Sequence, residues 1–268
     1  MAETTQHLAD IFDASDKNDT TAVFRYLHAL RERFFERLSG ALRLREDMRA
    51  ADIRDIKDPA GNLRGNMRTY TGDGSPVDWM IRSWIGNPDS GFSNLHLTTW
   101  LNDSIDVPHL GIALGTAPQV FCLIDLIPRY ELSAVPAHLT KYYEALNDAH
   151  IKLRREADYV QFTPYSAFIR ATLSPVAICG LVPFEVFKAK VEPLMWTYLE
   201  HWLALVAAAT PVDPALRPAL AQHDLTYRRN VAELDPANVF ADRMLGVPMR
   251  ERLVRILWGG EREAREHE

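Results

Sequence analysis

The sequence predicts an α+β fold, specifically a three-layer α/β/α sandwich with a central antiparallel sheet. Three observations predict it. Residues 67–126 hold five apolar or alternating runs joined by short turns, and strands joined so closely pair antiparallel. After Pro128 the apolar spacing changes to the helical period. Strands followed by helices, instead of alternating with them, indicate α+β. No linker or internal repeat divides the 268 residues, so one domain spanning 1–268 is expected, with 1–18 and 259–268 as loose tails.

The elements follow in order. From Asp19 or Thr20, an N-cap, a helix is predicted to about Glu46, because Phe24, Leu27, Leu30, Phe34, Leu38 and Leu42 recur at three and four residues. Ser39-Gly40 is a point where it can break. Residues 50–66 are charged, with a turn at Pro59-Ala60-Gly61-Asn62. Strands are expected at Met67–Thr71 and Val77–Ile85, then through the stretch Asn94–Leu126, broken at Asn102–Pro108 and Gly115–Pro118. In Asn94–Leu101 the period of two puts Leu95, Leu97, Thr99 and Leu101 on one face. His96, Thr98 and Trp100 fall on the other. Helices follow at Pro136–Arg155 and Phe184–Ala209, the second kinked or split at Pro193. Residues 157–173 fit neither period clearly. A helix is read from Ala219 to Glu233, a short one behind Asp235-Pro236 with Asp235 as N-cap, and a last one at Met249–Trp258. The first helix is expected on one face of the sheet and the later ones on the other.

Composition excludes several classes. The chain is 47% apolar and 25% charged, ordinary for a globular protein, and its net charge of −6 offers no general attraction for nucleic acid or acidic membranes. No apolar run reaches membrane-spanning length. The start, MAETTQHLADIFDAS, resembles neither a secretory signal nor a transit peptide, which predicts a cytoplasmic and bacterial protein. Cys122 and Cys179 lie in apolar runs without metal spacing, and are expected as buried thiols. There is no phosphate loop, dinucleotide fingerprint, nucleophile elbow or metal-ligand set. Taken alone, periodicity and spacing give an α+β domain with a His-bearing strand, whose polar face suits either solvent or a ligand pocket.

A resemblance adds to this. VDWMIRSWI at 77–85, NDSIDVPHLGIAL at 102–114 and FCLIDLIPR at 121–129 resemble the ferredoxin-dependent bilin reductase family. AHLTKYYEALNDAH at 137–150 and TPYSAFIRATLSP at 163–175 are similar to its red chlorophyll catabolite reductase branch, and YRRNVAELDPANVFADRMLG at 227–246 to the closing motif of the family. The likeness spans roughly 75–258. It implies a linear tetrapyrrole, biliverdin or a related bilin or red chlorophyll catabolite, held between the sheet and the C-terminal helices. It implies reduction of CH–CH groups by a radical mechanism, with no bound cofactor or metal and with single electrons from a [2Fe–2S] ferredoxin partner. Protons then have to come from acids in an apolar pocket that moves their pKa values toward neutrality.

The same resemblance implies His96 and Asp235 as the catalytic groups. It implies a carboxylate within LGIAL, where this chain has Ala113. Three readings follow: a different or slower reduction with His96 and Asp235 as the acids, substitution by another acid such as Asp106 or Asp125, or a chain that binds a bilin without reducing it. Thr98 and Trp100, beside His96, are candidate substrate contacts. Arg170, Arg154 and Arg229, with Arg155 and Arg228, are candidates for bilin propionates, against the simpler reading of surface arginines.

Overall fold

The computed structural model describes residues 2–6, 18–89 and 91–262. Ten strands form one sheet: β1 (Ala2–Gln6), β2 (Leu44–Asp47), β3 (Asp55–Lys57), β4 (Leu63–Gly72), β5 (Val77–Gly86), β6 (Ser93–Leu101), β7 (His109–Thr116), β8 (Val120–Ile127), β9 (Val160–Pro164) and β10 (Ile178–Val182). The order is β1-β9-β10-β8-β7-β6-β5-β4-β2, with β3 also on β4. The expected five-stranded meander, β4 to β8, is its centre and is antiparallel throughout. Among the described residues only β1 and β9 pair in parallel.

The helices are α1 (Thr21–Leu42), α2 (Pro136–Tyr142), α3 (Glu144–Arg154), α4 (Ala167–Thr172), α5 (Phe184–Val186), α6 (Glu192–Ala207), α7 (Arg217–Glu233), α8 (Asn238–Leu245) and α9 (Val247–Trp258). Three layers form, but their membership differs from the expectation. Leu27, Leu30, Phe34 and Leu38 of α1 share one core with Leu146 of α3 and Met195, Leu199 and Trp202 of α6. These helices therefore lie on the same face, over Leu95, Leu97, Ile112 and Ile124. The opposite face is covered by α8 and α9, where Leu245, Leu253 and Ile256 pack on Trp79, Ile81 and Trp100. A helical stripe states that a helix packs, not on which side.

Several boundaries also move. The first helix ends at Leu42, not Glu46, where Arg43 turns left-handed at φ 46° and the chain re-enters the sheet as β2; Gly40 stays inside the helix. The 136–155 helix is two, broken at Tyr143. Pro193 is accommodated by a π turn at Phe187–Val191, which leaves it in the first turn of α6, where its missing N–H costs nothing. Both supposed tails contribute structure. Ala2–Gln6 pairs with Val160–Pro164. Arg262 donates to the Asp78 carboxylate at 2.9 and 3.0 Å and lies over the Trp79 ring. Tail positions 1, 7–17 and 263–268 fall outside the described residues. Both cysteines are buried free thiols. No described helix is long and apolar enough to cross a membrane.

Candidate functional site

On β6 the alternation holds, with Leu95, Leu97, Thr99 and Leu101 buried toward α1. The other face, with the matching face of β7 and β8, is the floor of a cleft of about 1360 Å³, mouth included. Its roof is α7 and the turn that follows, and α4 forms a side wall through Ile169 and Thr172. Ile81, Trp100, Phe121, Leu123, Ile127 and Phe162 make it predominantly apolar. A second lobe continues under α8, lined by Met67, Phe92, Phe240, Arg243 and Met244. Asn94, His96, Asp235, Ala237 and Leu257 line both lobes, so they form the waist between them.

The two expected catalytic residues thus meet at one place. His96 has no hydrogen-bond partner among the described residues, and burial, reinforced by the Arg31 guanidinium, pushes its pKa down to about 4. Its ring is neutral near pH 7. The Asp235 carboxyl is raised by burial, held back only by the Ala237 N–H, which donates to Oδ1 at 2.8 Å. That bond closes a turn ahead of α8, whose cap is Ala237, so Asp235 is not the N-cap expected. Its remaining oxygen is available to a ligand.

Thr98 and Trp100 line the floor as expected. Trp100 is only 4% exposed and donates to the Leu257 carbonyl at 3.3 Å, so it also ties α9 to the sheet. Ala113 is directly opposite His96 on β7, and no carboxylate occupies its place. Asp125 is on the floor, buried, and tied to Ser174. Asp106 is not in the cleft: it accepts from Tyr142 Oη at 2.6 Å, beside Lys141 and His138, in the layer on the far side.

The arginines sort differently from the expectation. Arg170 is exposed on α4 and donates to the Pro164 and Tyr165 carbonyls at 2.9 Å, holding the wall rather than facing the cavity. Arg154 and Arg155 belong to the end of α3, in the layer across the sheet. Arg229 is exposed, pairs with Glu233 at 2.8 Å and stacks over Trp258. Its neighbour Arg228 turns inward, is 7% exposed and lines the first lobe, with Asp78 on its Nη1 and no partner for Nε. The spacing Leu220, Asp224, Arg228, Ala232 marks the buried face of α7 and would have chosen Arg228. Asn94 was also passed over. It shares the face of His96, and its buried Oδ1 has no partner. The waist therefore offers an N–H donor, an open carbonyl acceptor and a carboxyl that can do either.

The roof is held by a buried network. Arg129 donates through Nε and Nη2 to Asp224 of α7, and to the carbonyls of Ile105, Val107 and Asn102. His109 accepts the Leu101 N–H on Nδ1 at 3.0 Å, which leaves its proton on Nε2, 3.4 Å from Asp224. Trp79 Nε1 donates to the Ile256 carbonyl at 2.7 Å.

The family model for red chlorophyll catabolite reductase (RCC reductase) matches residues 27–258. The chain is 28% identical over 214 residues to red chlorophyll catabolite reductase 1, chloroplastic, of rice (Oryza sativa subsp. japonica), covering 73% of this chain and 64% of the rice protein. It thus spans somewhat less than two thirds of that relative's length. It is 27% identical over 198 residues to the red chlorophyll catabolite reductase of barley (Hordeum vulgare), covering 66% of this chain and 94% of the barley protein. Its fold is similar to the crystal structure of tomato phytochromobilin synthase in complex with biliverdin, with a TM-score of 0.72 at 15% identity, over 89% of this chain and 83% of that one.

Proposed function

The chain belongs to the red chlorophyll catabolite reductase family, and from that premise we propose that it reduces a linear tetrapyrrole, either a bilin such as biliverdin or a red chlorophyll catabolite. Electrons come one at a time from a [2Fe–2S] ferredoxin. No cofactor is held by the chain, and the reaction takes place in the cytoplasm. The observation that carries this reading is the waist. A long apolar cleft narrows at an unpartnered imidazole, an unpartnered amide oxygen and a carboxyl whose pKa is raised.

A linear tetrapyrrole is a flat, apolar, conjugated ligand with ring N–H donors and terminal lactam carbonyls. Asn94 Oδ1 is placed to accept a ring N–H. Neutral His96 donates its ring N–H to a lactam carbonyl; with a pKa near 4 it does not act as an imidazolium at pH 7. Asp235 accepts a ring N–H when ionised and, when protonated, delivers a proton to the reduced ligand. Each double bond that becomes CH–CH takes up two electrons and two protons. The electrons come from two reduced ferredoxins, and the protons from groups such as Asp235. Arg228 Nε, without a partner, replaces Arg229 as the basic contact in the first lobe.

Ala113 favours a second reading, a bilin carrier on the same fold, because the position opposite His96 has no acid. One experiment separates the two. The protein is mixed anaerobically with biliverdin or red chlorophyll catabolite, ferredoxin, ferredoxin reductase and NADPH, and the absorption spectrum is followed. Progressive loss of the long-wavelength band supports the reductase. A bound spectrum that stays constant under reduction supports the carrier. No spectral change with any linear tetrapyrrole refutes both.

A further inference from the structure

Two protons are consumed for every double bond reduced, and the waist contains one carboxyl. The first lobe contains a second. Asp125, on β8, is 1% exposed and lines the cleft. The register fixes its place. His96 is opposite Ala113, and Ala113 opposite Leu123. One row along, Thr98 is opposite Gly111, and Gly111 opposite Asp125. Asp125 is therefore two strands and two residues from His96, on the same face. The residue between Asp125 and Thr98 has no side chain; Ile127 packs over it, 3.0 Å from where a Cβ would stand, and Thr98, Gly111, Asp125 and Ile127 line the first lobe together.

Nothing around Asp125 obliges it to be ionised. Its carboxyl is met by the hydroxyl and N–H of Ser174, the latter at 2.9 Å, and by the Leu126 N–H. The titratable groups that interact electrostatically with it are Tyr143 and Tyr198, from the layer across the sheet, and Tyr227 of α7 and Cys179 of β10, all raised by burial and all neutral near pH 7. Burial raises Asp125 itself to about 6, with the Ser174 hydrogen bonds and the Leu126 N–H opposing the rise. A carboxyl of this kind is divided between acid and base forms near neutrality, which suits a general acid. Ser174 stabilises the carboxylate left behind once the proton has gone.

We infer that Asp125 is a second proton donor of the cleft, acting from the sheet floor on ligand atoms in the first lobe while Asp235 acts at the waist. The inference rests on the tetrapyrrole reading above. In the step, the Asp125 O–H bond breaks and a C–H or N–H bond forms on a ligand already reduced by electrons from ferredoxin. The carboxylate then regains a proton from water before the next turnover.

The test uses the full chain, biliverdin, and the variants Asp125→Asn and Ser174→Ala. Asp125→Asn, folded by circular dichroism, is expected to bind biliverdin within about threefold of the parent and to lose turnover by roughly 10²–10⁴-fold, the usual worth of a positioned acid. It stalls as a one-electron-reduced radical visible by electron paramagnetic resonance. Ser174→Ala removes a hydrogen bond that favours the carboxylate, so the pH at which this carboxyl titrates in the infrared, and with it the pH–rate profile, moves upward. A folded Asp125→Asn protein that turns over within threefold of the parent overturns the inference. So does a Ser174→Ala profile that does not move, which decides the matter if Asp125→Asn fails to fold. If the parent binds biliverdin without reducing it, the reductase reading falls by itself. The infrared then decides for Asp125. A protonated-carboxyl band that responds to biliverdin in the parent and is missing in Asp125→Asn supports its contact with ligand, and no response overturns it.

Discussion

Ala113 is the Cα partner of His96 across β6 and β7, so the charge on His96 can be reset by one substitution. Directly opposed Cβ atoms in an antiparallel pair are about 4.5–5.5 Å apart. In Ala113→Asp the new carboxylate comes to about 5 Å from the imidazole. At an effective dielectric of about 20, that attraction is worth about 3 kcal/mol, or about 2 pKa units. An opposite charge favours the protonated imidazole, so the His96 pKa, about 4 in the parent, rises to about 6. Desolvation of the added carboxylate takes back part of this, and the net rise is about 1–2 units. Ala113 is half-buried and borders Leu123 and Phe240 on a face that is open to the cleft, so the side chain has room. The assay is the pH titration of the His96 ring protons by nuclear magnetic resonance, assigned with His96→Gln. Ala113→Asn is the control for bulk without charge, and its titration stays within about half a unit of the parent. A folded Ala113→Asp protein whose His96 titrates within about half a unit of the parent would refute the register argument.

Three further outcomes follow from the same geometry. Asp235→Asn keeps the oxygen that accepts from Ala237, so its unfolding free energy should stay within about 0.5 kcal/mol of the parent. Its turnover in the ferredoxin assay should drop about 10²–10⁴-fold; equal turnover would remove Asp235 from the chemistry. Asp224→Ala leaves Arg129 charged and buried, and urea denaturation should show a loss of about 3–5 kcal/mol. His109 is held neutral by burial to about pH 4, while an unfolded histidine takes its proton near 6.5. Its folded pKa is the lower one, so its contribution is complete above pH 6.5 and is lost as pH falls toward 4, by about 3 kcal/mol. The penalty of His109→Gln measured at pH 7.5 should therefore shrink by about that much at pH 4; a penalty independent of pH would contradict a neutral buried ring.

The legible parts of the fold were those with local periodicity. Leu95, Leu97, Thr99 and Leu101 alternate with polar neighbours, and the meander followed from such runs and the turns between them. β10 was passed over because all five of its residues are buried, and a strand covered on both faces shows no alternation. The parallel pairing of Ala2–Gln6 with Val160–Pro164 joins residues more than 150 positions apart, and no local signal specifies it. In the site, the period of two and the family resemblance together identified His96, Thr98 and Trp100, and the resemblance alone Asp235. Asn94 has the same period but lacked a chemical cue, since amides are common on any strand edge. The arginines were chosen by proximity to motifs. Of those arginines only Arg228 lines the cleft, because orientation around α7 depends on which of its residues the sheet buries.

The narrowing at Asn94, His96 and Asp235 has a consequence for regiochemistry. Under the proposed function, a tetrapyrrole threaded through both lobes would present only a few atoms at that point, beside the imidazole and the carboxyl. The constriction would then work as a ruler. How far the chain of rings slides before its ends meet the two lobe walls would determine which bond comes to the mark. Relatives that share the floor but differ in Phe240, Arg243 or Met244 at one end, or in Ile169 and Thr172 at the other, would measure to a different bond with the same acids.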